Sequence, residues 1–357
     1  MLCAQHVIWR IALPPVAGCL LRVGFHRYRG RVIERSEQGA DPSVEPDLSQ
    51  VGPSKTSPPS GARGPGRSAP PPPGASATSA LPGPSPTGPD IPLNRQLDAG
   101  AAPDGRPAAW MWLLFAALGF VGGQVVAAVF VAVTAAIEGK SSSLTAISQL
   151  NEPPTWYVVS TLLGLWAGFF GAGWLATGVR GTKSFARDLG LRFKWIDFVG
   201  IPIGVGGQIL IGLLYIPISH HVHDFNQRFN GPSQRLTGGS HGVGFAVIAV
   251  CTIVGAPFFE ELFFRGVLLR ALARLFGDFG RWMGPALAII ITGVIFGLAH
   301  AESLQLLGLA LFGIALSYVS FRTGRLGMNM VAHASFNAVA VAFAVVLPLL
   351  GLTGPPF

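Results

Sequence analysis

Six residues on three apolar stretches hold the chemistry open to this chain. Glu260 and Glu261 are adjacent in Glu260-Glu261-Leu262-Phe263-Phe264-Arg265, directly after the uncharged run Gly242 to Phe259. Phe296 and His300 lie four residues apart in the next apolar stretch, and His333 and Asn337 lie four apart in the last. An ionisable side chain at the middle of a bilayer helix costs about 2.5–3.5 kcal/mol on insertion scales, so such groups face a cavity or a partner and mark function. Neighbours on a helix point about 100° apart, whereas i and i+4 share a face. Glu261 and Arg265 therefore predict an ion pair that offsets part of the burial cost. Glu260 points elsewhere, toward other helices.

Attack of water on an amide needs a base for the water proton, donors for the oxyanion and an acid for the leaving nitrogen. A carboxylate with a histidine meets the first need. A second histidine with an amide, His333 with Asn337, meets the second. The same atoms allow a rival arrangement. Glu260, His300 and His333 make the two-His, one-Glu set of a hydrolytic zinc, with a fourth position left for water. The chain has no His-Glu-x-x-His helix, which favours glutamate-activated water over zinc. Each pair alone also has a structural reading: Glu261 with Arg265 as helix glue, His300 as a packed helix-end residue, His333 with Asn337 as an interhelical hydrogen bond. Together, on three successive apolar segments, they favour a site.

The elements that must position these residues follow from composition. Half of the 357 residues are hydrophobic and 12% are charged, against about 25% in ordinary soluble domains. This points to an all-α polytopic membrane protein. Ala108 to Ile137, Pro153 to Val179, Phe198 to Ser219, Gly242 to Phe259, Trp282 to Ala299, Leu304 to Phe321 and the stretch after Leu326 carry no charged residue. A spanning helix needs about 20 apolar residues, so the expected architecture is a transmembrane helical bundle of about seven spans. Gly164/Gly168, Gly200/Gly204 and Gly293/Gly297 have the four-residue spacing of close helix contacts in lipid. The net charge of +8 falls in the tail and in short loops, without a compact basic domain, so nucleic acid is not an expected partner. The bilayer is. Arg180 to Lys194, Arg270 to Arg281 and Arg322 with Arg325 alternate with poorer loops, which places the N-terminus in the cytoplasm and the C-terminus outside.

The rest of the chain carries weaker signals. Residues 1–107 are rich in Pro, Gly, Ser and Ala, including Pro70 to Pro73, and read as a disordered tail. Val7 to Leu21 resembles a signal-peptide core, but Arg10 interrupts it, Pro14-Pro15 breaks it and no basic segment precedes it. Cys3, Cys19 and Cys251 lack metal spacing, and Cys251 reads as a small apolar residue within a span. His220, His221 and His223 in one loop are a low-specificity metal signal, and His241 reads as a loop residue. A straight drawing separates His300 from His333, so the polar segment around Glu302, Ser303 and Gln305 is expected to be recessed into the membrane.

The order Glu-Glu-x-x-x-Arg, Phe-x-x-x-His, His-x-x-x-Asn, with Phe264-Arg265-Gly266 and Phe296-Gly297-Leu298-Ala299-His300 around it, resembles the CAAX protease and bacteriocin-processing (CPBP, or Abi) family of intramembrane proteases. The resemblance covers residues 243–340; residues 1–107 have no counterpart in it. It implies an all-helical membrane core and endopeptidase activity on a peptide or a lipidated protein, since eukaryotic members remove the last three residues of prenylated CAAX proteins. Carried over, Glu260 is the base that activates water, assisted by His300. His333 and Asn337 form the oxyanion site, and Glu261 and Arg265 orient it. The family is commonly labelled metalloprotease, and zinc on Glu260, His300 and His333 remains the rival to metal-free hydrolysis. The expected organisation is a tail over 1–107 and a transmembrane domain over 108–357 with its protease core at 243–340. Two other functions fit the same residues. A catalytically silent immunity or scaffold protein would bind a peptide or partner in the cavity. A small transporter would need inverted repeats with broken helices in both halves, and the sequence has no such symmetry.

Overall fold

The structure is a computed structural model that describes residue 93 and residues 105–141, 144–148, 150, 152–237 and 240–349. The predicted tail, with Val7 to Leu21 and Pro70 to Pro73, lies outside the described residues except for Leu93 and the first residues of α1. Among the described residues the regular elements are all helical. The long ones are α1 (Gly105–Ile137), α2 (Thr155–Arg180), α3 (Gly200–Ser219), α4 (Val243–Leu275), α5 (Met283–Ala299), α6 (Leu306–Thr323) and α7 (Gly327–Leu349). Each grows from one of the uncharged stretches. Five are long and apolar enough to cross a membrane: α1, α2, α3 with the turn that precedes it, α4 and α6. The apolar α5 is shorter at 17 residues, and α7 has 23. The chain is an integral membrane protein. Large apolar side chains such as Leu114, Leu118, Val121 and Val125 of α1 stand exposed on the bundle exterior, where lipid, not water, is the solvent.

Close backbone approach holds the bundle together. All three glycine pairs sit at helix crossings. Gly164 and Gly168 of α2 face Ala127, Gly119 and Gly123 of α1. Gly200 and Gly204 of α3 face Met328 and Ala332 of α7, and Gly293 and Gly297 of α5 face Ile314 and Ala310 of α6. A Cβ at any of these would run into the neighbouring helix. Between lipid-immersed helices, association rests on such packing because lipid tails are as apolar as the side chains.

The carboxylates lie within α4, not at its end. The sequence reading stopped the apolar run at Phe259 and took Arg270 and Arg274 as loop charges. In the structure α4 continues to Leu275 and both arginines belong to it. The reason is that each finds a partner on another element. Buried Arg270 donates Nη2 to the Gly324 carbonyl at 3.0 Å. The Arg274 guanidinium lies 4.3 Å from the Trp112 ring centroid. Ala256–Glu261, the α-helical piece carrying both glutamates, is flanked by two π-helical stretches, Cys251–Gly255 and Leu262–Leu268. Such wide turns are rare and are frequent at functional sites. Stacked rings fasten this region to α2: Trp166 on Phe259 at 4.9 Å and Phe169 on Phe263 at 4.2 Å.

Helix α5 ends at Ala299, and Ala301 then takes φ 52°, in the left-handed region. The polar segment that follows is tied down on two sides. The Tyr215 hydroxyl of α3 donates to the Leu304 carbonyl at 2.7 Å and accepts from the Gly308 N–H at 3.1 Å. Gln305 Nε2 donates at 2.7 Å to the carbonyl of Phe229, in a short helix spanning Phe225–Thr237.

The α1–α2 crossing sets a test of the packing. Gly168→Val should destabilise the purified protein by about 1–3 kcal/mol or more, the usual range for overpacking, read as a lower thermal unfolding midpoint in detergent. Gly171, whose Cβ would meet nothing within 4 Å, is the control position. Equal midpoints for valine at both positions would refute the close approach.

Candidate active site

Glu261 is the anchor of the cluster. Its side chain and that of Arg265 are fully buried, and Arg265 Nη1 donates to Glu261 Oε1 at 2.6 Å. Arg265 Nη2 donates to the Gly313 carbonyl of α6 at 2.9 Å. His333 Nδ1 reaches the same Glu261 Oε1 at 2.9 Å, and Asn329 Nδ2 donates to Glu261 Oε2 at 3.2 Å. Both Glu261 oxygens are thus engaged, by donors from α4 and α7. The predicted i, i+4 ion pair is present.

Glu260 is placed differently. Its Oε2 lies 3.9 Å from His300 Nε2 and 3.9 Å from His333 Nε2. That oxygen is buried and has no hydrogen-bond partner among the described residues. The two imidazoles from α5 and α7 therefore meet at Glu260. Their outer nitrogens determine what faces it. His300 Nδ1 contacts the Phe296 carbonyl at 2.7 Å; a carbonyl only accepts, so Nδ1 carries the proton. His333 Nδ1 likewise donates to the Arg265-paired carboxylate of Glu261. In each neutral ring the Nε2 lone pair is then the atom turned to Glu260. Phe296 lies beneath the group, its ring centroid 4.7 Å from that of His300 and 5.6 Å from that of His333. The Arg265 guanidinium sits 4.6 Å from the same centroid.

Asn337 stands one turn beyond His333, half-buried, with Nδ2 donating at 2.8 Å to the Thr252 carbonyl in the first π-helical stretch. One of its two N–H groups is thereby used and the second remains available. His333 and Asn337 thus each spend a donor on α4. Asn329 was missed by sequence reasoning. It is fully buried and donates both to Glu261 Oε2 and, at 2.6 Å, to the Leu316 carbonyl of α6. Its signal was available: Asn329, His333 and Asn337 repeat every four residues along one face of an otherwise apolar helix.

The other candidates do not join the cluster. His220, His221 and His223 are exposed, and His223 Nε2 lies 3.3 Å from Asp224 Oδ2. Exposed His241 precedes α4, and half-buried Cys251 has a free thiol. Among the described residues no group of three His, Cys, Asp or Glu side chains is arranged to hold a metal ion. For Glu260, His300 and His333 the reason is spacing. Ligands about 2.05 Å from a tetrahedral zinc lie about 3.3 Å from one another, short of the 3.9 Å from Glu260 Oε2 to each imidazole. Two acceptors of one water at about 2.8 Å lie about 4.4 Å apart, so the 3.9 Å separations fall between the two arrangements. The donor atoms, one carboxylate and two imidazoles, are those of a hydrolytic zinc site and equally those that orient a water.

Residues 242–339 match the family described as type II CAAX prenyl endopeptidase Rce1-like. The matched stretch contains all six predicted site residues and is the stretch that resembles CPBP intramembrane proteases. No curated protein and no solved structure matches the chain.

The Glu261–Arg265 pair sets a stability test. Arg265→Met strands a buried carboxylate, and breaking such a pair costs about 3–5 kcal/mol. Glu261→Gln with Arg265→Met should recover most of that loss, measured as thermal unfolding in detergent. Additive losses from the two substitutions would contradict the pairing.

Proposed function

We propose that this chain is an intramembrane endopeptidase that hydrolyses a peptide bond of a membrane-associated protein, with Glu260 as the base that activates water. The family match over residues 242–339 supports the endopeptidase class. The observation that carries the residue assignment is the buried, unpartnered Glu260 Oε2 facing two imidazole Nε2 atoms at 3.9 Å each.

The reaction follows from these positions. A water between Glu260 and the imidazoles donates one hydrogen to Glu260 and the other to an Nε2, which turns its lone pair toward a substrate carbonyl. Glu260 takes the proton as the oxygen attacks, and returns it to the leaving nitrogen. His300, its Nδ1 fixed on the Phe296 carbonyl, is the second acceptor that orients the water. The remaining N–H of Asn337 is a donor for the oxyanion, and His333 joins it when Nε2 is protonated. Glu261, Arg265 and Asn329 are positioning residues. They hold His333 and, through Phe296 and Gly313, the last turn of α5 and the middle of α6. Were zinc bound, Glu260, His300 and His333 would hold it, and it would supply a water of lowered pKa at the same place. A lipidated protein is the substrate class suggested by the resemblance. The N-terminus is assigned to the cytoplasm and the C-terminus to the outside by loop charge.

The test compares membrane-protein termini in cells carrying the native protein and Glu260→Gln at equal expression. Loss of base catalysis should lower cleavage by about 10²–10⁴-fold, so a set of new termini disappears. A phenotype unchanged by Glu260→Gln would instead indicate a silent immunity or scaffold protein. For the purified enzyme, chelation followed by dialysis should leave cleavage intact. Activity lost on chelation and restored by zinc would overturn the metal-free mechanism while keeping the endopeptidase assignment.

A further inference from the structure

The two ends of the bundle differ in charge. One end gathers the start of α1 with segments 180–199, 270–283 and 322–326. These are joined by the Leu326 N–H bond to the Gly190 carbonyl at 2.9 Å, the Arg325–Asp197 pair at 3.1 Å, and the Arg270 and Arg274 contacts already described. These three segments hold ten Lys and Arg against three Asp. The segments at the opposite ends of the same helices, 138–154, 220–241 and 300–305, hold three Lys and Arg against four Asp and Glu. At the cationic end Asp197 is engaged by Arg325, and Asp188 accepts from the Thr182 hydroxyl and N–H at 2.6 and 2.7 Å. Lys183, Arg187 and Arg281 stand exposed.

Beside these cations the chain displays an aromatic shelf. Trp195 is 85% exposed and Phe193 57%, and both pack on the Phe198 ring, with centroids 5.7 and 5.4 Å away. Across the same end, Arg281 lies 4.6 Å from the ring centroid of Trp282, itself 75% exposed. The shelf is rigid, because Asp197 lies in its middle and is fastened to Arg325 at the foot of α7. Exposed rings in water are unfavourable, but at the boundary of a bilayer rings occupy the headgroup level. Cations at the same level attract anionic headgroups, by about five-fold in affinity per side chain near the surface. The combination of exposed rings packed on one another, exposed cations and an aspartate paired with Arg325 matches an anionic phospholipid: rings against the glycerol and upper acyl region, cations against the phosphate.

We propose that the Phe193–Phe198 shelf, together with Lys183 and Arg187, is a docking surface for anionic phospholipid headgroups in the leaflet on that side. The assignment does not depend on the catalytic reading. The full-length protein is reconstituted with brominated phosphatidylglycerol or brominated phosphatidylcholine. Quenching at Trp195 is taken as the difference from Trp195→Phe, a position exposed enough to tolerate the change. Phosphatidylglycerol should be preferred by at least about five-fold, with the preference weakening as salt is raised. Lys183→Ser with Arg187→Ser should abolish the preference at unchanged thermal stability, and Lys183→Arg with Arg187→Lys should retain it. Equal quenching by the two lipids, a preference unmoved by the double serine variant, or displacement by inorganic phosphate would each overturn the proposal.

Discussion

The structure of this site depends on one buried ion pair, Glu261 with Arg265. Both side chains are fully buried, and their 2.6 Å contact runs along one face of α4. Away from bulk water a buried charge needs protein partners, and apart from Arg265 Nε the pair finds them among the described residues. This requirement recruits the rest of the site. The second arm of the guanidinium takes the Gly313 carbonyl, the second carboxylate oxygen takes Asn329, and His333 shares the first. Satisfying one pair thus draws α6 and α7 onto α4 and sets the orientation of an imidazole.

The adjacent glutamate shows what that arrangement leaves over. A helix turns about 100° per residue, so Glu260 cannot share the partners of Glu261. A buried acceptor left without a protein donor is a place for a water or a substrate group. Glu261 is saturated; Glu260 Oε2 is not. Two identical side chains, one residue apart, are separated in chemical availability by helix geometry alone. The saturated one is structural, and the unsaturated one can accept a proton.

Much of this was legible in the sequence, because the bilayer imposes rules that leave marks on composition. A lipid-immersed helix must be an apolar run, and all seven long helices arise from such runs. Small residues four apart mark helix crossings, and the three glycine pairs lie at them. The i, i+4 geometry of a helix anticipated the Glu261–Arg265 contact. What was illegible depends on partners distant in sequence. Arg270 looks like a loop cation because its acceptor, the Gly324 carbonyl, lies 54 residues away. Asn337 looks like a free donor because Thr252 lies 85 residues away. Asn329, by contrast, was legible as the first member of the four-residue repeat with His333 and Asn337. The π-helical winding around Glu260 has its mark in Pro257, which lacks an N–H and lies between Gly255 and the two glutamates.

His300 is held by other means than His333, and the contrast explains the irregular end of α5. His333 lies within α7, where regular helix geometry and Glu261 fix it. His300 caps α5, and the next residue, Ala301, adopts a left-handed conformation that costs an L-residue about 1–2 kcal/mol. Such a conformation persists only where surrounding contacts over-determine it. Those contacts are the Tyr215 hydroxyl, which bridges Leu304 and Gly308, and Gln305 on the Phe229 carbonyl. The turn they hold lets α5 stop where its last ring reaches Glu260 instead of continuing past it. A regular helix on one side and a clamped, strained turn on the other bring two imidazoles to the same oxygen. Because separate elements fix each of them, neither depends on the substrate to find its place.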